Sequence, residues 1–269
     1  MIRKFICILI FALFAQVNTL SAGTTGSEEL TSSSSQDTAS ECFEGVSRAM
    51  FKLNHGLDKV IFEPVAKGYR ALPVPIRKAT GNFTDNLRSL LTLSNNILQG
   101  EFRRAGNNAA RFGINTTAGI LGFFDPAAKL GFEDQGKEDF GQTLGRWGSG
   151  TGCYFVLPIL GPTTTRDAVG LVGNIFLDPV YQITHNTEID NGVVGNGNYS
   201  EHNYYYYRGT GSIDFRAKNI ESFDSLEENS IDLYASLKSL YLQNRKQKIA
   251  NSTSAVETQD DSDWEEIDT

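Results

Sequence analysis

Between Phe140 and Cys153 the chain reads FGQTLGRWGSGTGC, with glycines at 141, 145, 148, 150 and 152. A stretch so poor in side chains cannot carry a catalytic cluster, and it cannot build a core alone. Gly141 and Gly145 stand one helical turn apart, and Gly148 lies close to the same face. A helix here would present a smooth strip of backbone. Such a strip lets a second helix approach closely, or it leaves room for an acyl chain or a lipid headgroup. Each glycine in a helix interior costs about 0.5–1 kcal/mol relative to alanine. Three on one face therefore indicate a packing or passage requirement, with both readings open. Trp147 stands among them, and the apolar run YFVLPILGP comes next.

The flanking sequence is largely helical in pattern. Val46, Met50, Leu53 and Leu57 recur at spacings of three and four, which predicts a helix over residues 43–58. Pro64, Pro73 and Pro75 punctuate the next stretch, and ALPVP predicts an extended connector. Helical spacing resumes over residues 82–99, with Gly100 as its stop. Phe102, Ala105, Ala109 and Phe112 mark a further helix, and residues 213–249 return to the same period. Residues 186–212 are rich in Asn, Gly and Tyr and are expected to form a loop, YYYY at 204–207 included. Little room remains for strands, so the expected class is mainly α.

Residues 116–132, TTAGILGFFDPAAKLGF, fit neither period. Ile120, Leu121, Phe123 and Phe124 must be buried behind a loop in a soluble core, or else face acyl chains. The sequence leaves both readings open.

Reactive groups are sparse. His55, His185 and His202 show no ligand spacing, so no metal site is expected. There is no G-x-S-x-G elbow and no GxxxxGK[ST] loop, and GSGTG at 148–152 does not fit a dinucleotide fingerprint. Glu138 and Asp139 suit a helix N-terminus. Arg166–Asp167 after PTTT reads as a cap with a local ion pair, and Arg245, Lys246 and Lys248 suit a helix C-terminus. No enzyme and no cofactor are expected. The net charge is −8, with seven acids and no base in residues 251–269. No basic stripe exists to neutralise phosphates, so nucleic acid is not an expected partner.

The chain opens with basic MIRK, an apolar run FICILIFALFAQV, and LSAG as a small-residue cleavage site. This predicts an export signal over 1–22, with an uncleaved anchor as the alternative. After it come a polar tether over 23–41, a folded domain over 42–250 and an acidic disordered tail over 251–269. Cys42 and Cys153 remain after cleavage, and sequence alone does not give their separation.

The sequence also resembles a known family. EDFGQTLGRWGSGTGCYFVLPILGPTTTRDAVG (138–170) is similar to the central signature of the MlaA/VacJ family of outer-membrane phospholipid transport proteins. MFKLNHGLD (50–58), NFTDNLRSLLTLSNNILQG (82–100), RFGINTTAGILGFFDPA (111–127) and DFRAKNIESFDSLEENSIDLYASLKSLYLQNR (214–245) resemble further family segments, in the same order. The resemblance implies a doughnut-like helical protein in the inner leaflet of the outer membrane, on its periplasmic face. It implies a trimeric porin as partner, phospholipid as cargo and a periplasmic lipid carrier as recipient. The implied lipid path runs beside Gly141, Gly145, Trp147 and Gly148, and past Leu53 and Asn54. Ile120, Leu121, Phe123 and Phe124 are the expected membrane contacts. Three features depart from the family pattern: no lipobox cysteine stands after the apolar run, Cys153 replaces a usual proline, and the 186–212 segment is longer. A soluble periplasmic lipid-binding or structural protein of the same fold is the alternative.

Overall fold

The first helix, α1 (Glu44–Leu57), has the predicted spacing but does not end where expected. It runs through one π-helical turn, Asp58–Phe62, directly into α2 (Glu63–Arg70). Pro64 does not break the chain: it lies in the first turn of α2, where the π-turn passes into the α-helix. The expected extended connector is corrected too. Only Ala71–Pro73 links the helices, and α3 (Val74–Leu98) begins with Pro75 in its first turn, where a missing N–H costs little.

Gly100 does stop α3. It sits at φ +76, its N–H bonds the Ile97 carbonyl at 3.0 Å, and the Glu101 N–H bonds Asn96 at 2.8 Å. This pairing satisfies two of the helix's last carbonyls with a left-handed glycine. Next come α4 (Phe102–Thr117), the short α5 (Pro126–Lys129) and α6 (Phe140–Arg146). The computed structural model describes residues 39–185 and 201–250. The expected signal, most of the tether, residues 186–200 and the acidic tail lie outside the described residues.

A small sheet adjoins α6, where almost no strand is expected from the sequence. β1 (Ser40–Glu41) pairs in parallel with β2 (Cys153–Leu157), which pairs antiparallel with β3 (Gly161–Thr164). Tyr154 and Val156 are its buried alternate positions. Ser40 and Glu41, expected in the tether, form the sheet's edge strand. Ser40 is in register with Cys153, which brings Cys42 and Cys153 to a Cα separation of 5.6 Å, and the two are disulfide-bonded.

This bond spans 111 residues. Removing it with Cys42→Ser and Cys153→Ser should cost about 4–5 kcal/mol in the chain-entropy picture. A lower denaturation midpoint in the double variant, reproduced by reductant on the wild type only, is the expected result.

The chain then forms α7 (Thr165–Leu177), α8 (Pro179–His185), α9 (Glu201–Lys218), α10 (Ile220–Asn229) and α11 (Leu233–Ala250). YYYY therefore lies in a helix, not a loop. Neighbour relations close a circuit: α1, the π-turn, α2, α9, α3, α6, α11, β3, β2, and back to α1. Two small apolar clusters fasten it. Ala66, Ala217 and Ile220 join α2 to α9 and α10. Tyr154, Val156 and Tyr234 join β2 to α11, with Met50 and Phe51 of α1 packed against them.

Candidate lipid-facing site

The polarity of this protein is inverted. Among the described residues, buried polar and charged side chains outnumber buried apolar ones, while many large apolar side chains stand exposed. Helix α7 shows how. Its inward face is Arg166, Asp167 and Gly170, and its outward face is Val169, Leu171, Val172, Ile175 and Phe176. In water such a helix would be turned over, since each large apolar side chain is worth about 1.5–3 kcal/mol when removed from water. The π-turn likewise displays Val60, Ile61 and Phe62. An exterior this apolar marks contact with lipid or protein. Among the described residues no helix is long and apolar enough to cross a membrane.

The 118–125 segment is not a buried loop. Ile120, Leu121 and Phe124 are about 60% exposed, and Phe123 is partly so. Ile120 and Leu121 occupy left-handed backbone, φ +53 and +57, which bulky L-residues adopt only at a cost of about 1–2 kcal/mol each. The turn is fixed by bonds from Leu121 N–H to Thr116 and Gly122 N–H to Asn115, at 2.9 and 2.8 Å. Gly122 lies so close to Asn86 that a Cβ would meet that side chain at 2.6 Å. Phe123 stacks on Phe83 at 5.1 Å. A rigid, strained turn thus holds apolar side chains outward.

Replacing Ile120 by Asn, which tolerates left-handed backbone, and Phe124 by Ser should leave the fold intact. With the expected membrane contact at this turn, loss of these two apolar side chains should weaken vesicle binding by about 2–4 powers of ten. Flotation with phosphatidylethanolamine–phosphatidylglycerol vesicles checks this, and unchanged flotation would place the turn outside the membrane contact.

The interior is a charged joint. Asp139 caps α6, accepting the Gln142 N–H at 3.0 Å, and Thr164 caps α7, accepting the Asp167 N–H at 3.2 Å. Arg166 pairs with Asp167 at 3.2 Å, as PTTTRD suggests. Arg245 of α11 completes the joint. It bonds Asp139 through Nη1 at 2.6 Å and Nη2 at 3.0 Å, and Asp167 through Nη2 at 2.7 Å and Nε at 3.1 Å. Tyr241 donates to Asp167 at 2.6 Å. Burial pushes both carboxyls upward, but the Arg245 guanidinium more than offsets this and holds them below the usual range. Nearby Glu138 is raised by burial, though Gln99 donates to it at 3.0 Å. From sequence Arg245 reads only as a helix-end charge, because its partners lie about 80 and 100 residues away.

The glycine strip on α6 is occupied. A Cβ on Gly141 would meet Asp167 at 2.6 Å and Arg245 at 2.7 Å, and one on Gly145 would meet Ile249 at 2.8 Å. Close helix approach is therefore what these two glycines permit, and α11 fills the groove that a bare strip would leave. Gly148, at φ +87, follows α6 with its N–H on the Gly145 carbonyl at 3.0 Å and nothing within 4 Å of its Cβ position. Trp147 is half-exposed, donating to the Leu98 carbonyl at 3.1 Å and packing edge-on against Phe140. Leu53 is exposed on α1, beside Asn54, whose side chain bonds the β2–β3 connection. The structure thus spreads the expected lipid-path residues over two places, α6 and the α1–hairpin contact.

A mainly helical, ring-connected fold with a polar interior and an apolar exterior points to a membrane-associated protein. A family model described as MlaA lipoprotein matches residues 39–248, and the chain belongs to that family. It is 31% identical over 224 residues to the intermembrane phospholipid transport system lipoprotein MlaA of Haemophilus influenzae, covering 82% of this chain and 83% of that one. The protein of the same name in Escherichia coli is 32% identical over 224 residues, with 82% of each chain covered. An uncharacterized protein of Rickettsia prowazekii is 38% identical over 146 residues; the match covers 54% of this chain and 58% of the relative's length. A solved structure, described as the structural basis for maintenance of bacterial outer membrane lipid asymmetry, aligns with a TM-score of 0.65 at 29% identity, covering 78% of this chain and 99% of that one.

Proposed function

We propose that this chain is the outer-membrane component of intermembrane phospholipid transport. It removes mislocalised phospholipid from the outer leaflet and passes it to a periplasmic carrier. The inverted polarity of α7 carries the reading, with charge inward and an apolar row outward. The relatives' names, which concern phospholipid transport, and the solved structure concerned with lipid asymmetry support it. On this reading the protein sits on the periplasmic side of the outer membrane after export, beside a porin trimer. Its apolar exterior supplies attachment. It performs no chemistry on the lipid and needs no cofactor. Gly141 and Gly145 serve the lipid path indirectly, by letting α11 and α7 close on α6. Leu53 and Trp147 are the exposed candidates for direct lipid contact.

The exposed apolar exterior weighs against the soluble alternative. Phase separation of the full chain in a cloud-point detergent, with mass spectrometry of extracted lipid, tests the choice. Partition into the detergent phase with phospholipid bound is expected. A chain in the aqueous phase without phospholipid would favour the soluble protein.

A further inference from the structure

The β2–β3 connection is held from outside its own hairpin. Asn54 of α1 donates from Nδ2 to the Leu157 carbonyl at 2.8 Å, and its Oδ1 accepts the Ile159 N–H at 2.7 Å. One amide thus satisfies the backbone on both sides of Pro158. Ile159 lies at φ +66, a region that β-branched residues rarely adopt. The turn is therefore kept in a conformation its own sequence disfavours, and the Asn54 bonds help to determine it. It presents apolar side chains: Ile159 and Leu160 are nearly 70% exposed, and Leu53 is exposed beside Asn54.

We propose that Asn54 is a positioning residue, a two-point latch that holds the Ile159–Leu160 tip at α1 as an acyl-chain-contacting edge of the lipid path. The proposal rests on the lipid-transport reading. Without the latch Ile159 relaxes out of left-handed backbone, and the tip leaves its place. Asn54→Leu keeps the size and offers neither bond. Asn54→Asp keeps an acceptor for Ile159 but sets a carboxylate against the Leu157 carbonyl.

The test uses the full chain in phosphatidylethanolamine–phosphatidylglycerol vesicles containing a phospholipid with a photoactivatable acyl chain. Hydrogen exchange at Ile159 reports the latch, and adducts mapped by mass spectrometry report lipid contact. Wild type should show a protected Ile159 amide and adducts at Leu53, Ile159 and Leu160. Asn54→Leu should exchange at Ile159 at least ~10 times faster, the loss of about one hydrogen bond's worth of protection, and should lose most of the adducts at 159–160. Adducts at Phe123–Phe124 should not change, which excludes general misfolding. Asn54→Asp should fall between the two, and it carries the test if Asn54→Leu does not fold. Unchanged exchange in both variants overturns the latch. Wild-type adducts at Phe123–Phe124 but none at 159–160 overturn the tip's lipid role while leaving the transport reading standing. No adducts anywhere overturn the transport reading itself, and the lipid role of the latch with it.

Discussion

Gly170→Val should leave almost no folded protein. A Cβ at this position would lie 2.4 Å from the Gly141 nitrogen and 2.6 Å from the Gly141 Cα. Both are backbone atoms, so no side chain can swing aside, and α6 and α7 must separate. Overpacking alone costs about 1–3 kcal/mol and sometimes more. Here separation also moves Asp139, at the start of α6, away from Asp167, in the first turn of α7, while both depend on Arg245. The combined loss rivals the roughly 5–15 kcal/mol of a whole domain. Gly106→Ala is the control. Nothing lies within 4 Å of its Cβ position, so alanine should stabilise α4 by about 0.5–1 kcal/mol. Thermal melting in detergent should show a lost transition for the first variant and a small upward shift for the second. A normal melt for Gly170→Val would mean that the helices do not meet backbone to backbone.

Arg245→Met is the second large effect. The substitution keeps most of the side chain's volume but leaves Asp139 and Asp167 buried without their shared cation. Removing one partner of a buried ion pair typically costs about 3–5 kcal/mol. The pH response should also invert. In the wild type both carboxyls are held below their ordinary values. Their contribution is therefore fully present above the unfolded pKa near ~4 and fades as pH falls below it. Without Arg245, burial, the largest influence on each carboxyl, is opposed only by Gln142 at Asp139 and by Tyr241 and Arg166 at Asp167, and both carboxyls should move upward. Protonation then favours the folded state, and stability should rise as pH falls from about 8 toward 5. Denaturant midpoints across that range check the sign. A variant that loses stability on acidification, as the wild type does below about pH 4, would contradict the role given to Arg245.

Local signals are legible in the sequence, and long-range ones are not. The Gly100 stop, the α1 and α4 helices and the caps before α6 and α7 each depend on neighbours within a few residues. The proline connector misleads because Pro64 and Pro75 read as breaks, whereas each occupies a helical first turn. YYYY reads as a loop because the composition around it is polar. In α9 the run divides by helical phase: Tyr204 packs on Tyr181 at 5.1 Å, while Tyr205 and Tyr206 face outward. The inversion of α7 is not legible at all. Helical periodicity gives the phase of the apolar face but not whether it points inward or outward. That sign is set by the Arg166–Asp167–Arg245 joint on the other side. The Arg245 contacts, the Cys42–Cys153 bond and the Asn54 bonds to the β2–β3 connection all join distant segments, and nothing local marks them.

The most direct measurement is phospholipid in the outer leaflet of a Gram-negative bacterium that lacks its own family member and expresses the full chain from an inducible promoter. Headgroup labelling from outside the cell would count it. Restoration of a low outer-leaflet level by the wild type, and none by Gly170→Val, is the result this account requires. A persistently high level, with the wild-type protein present in the outer membrane in normal amount, would contradict lipid removal as its function.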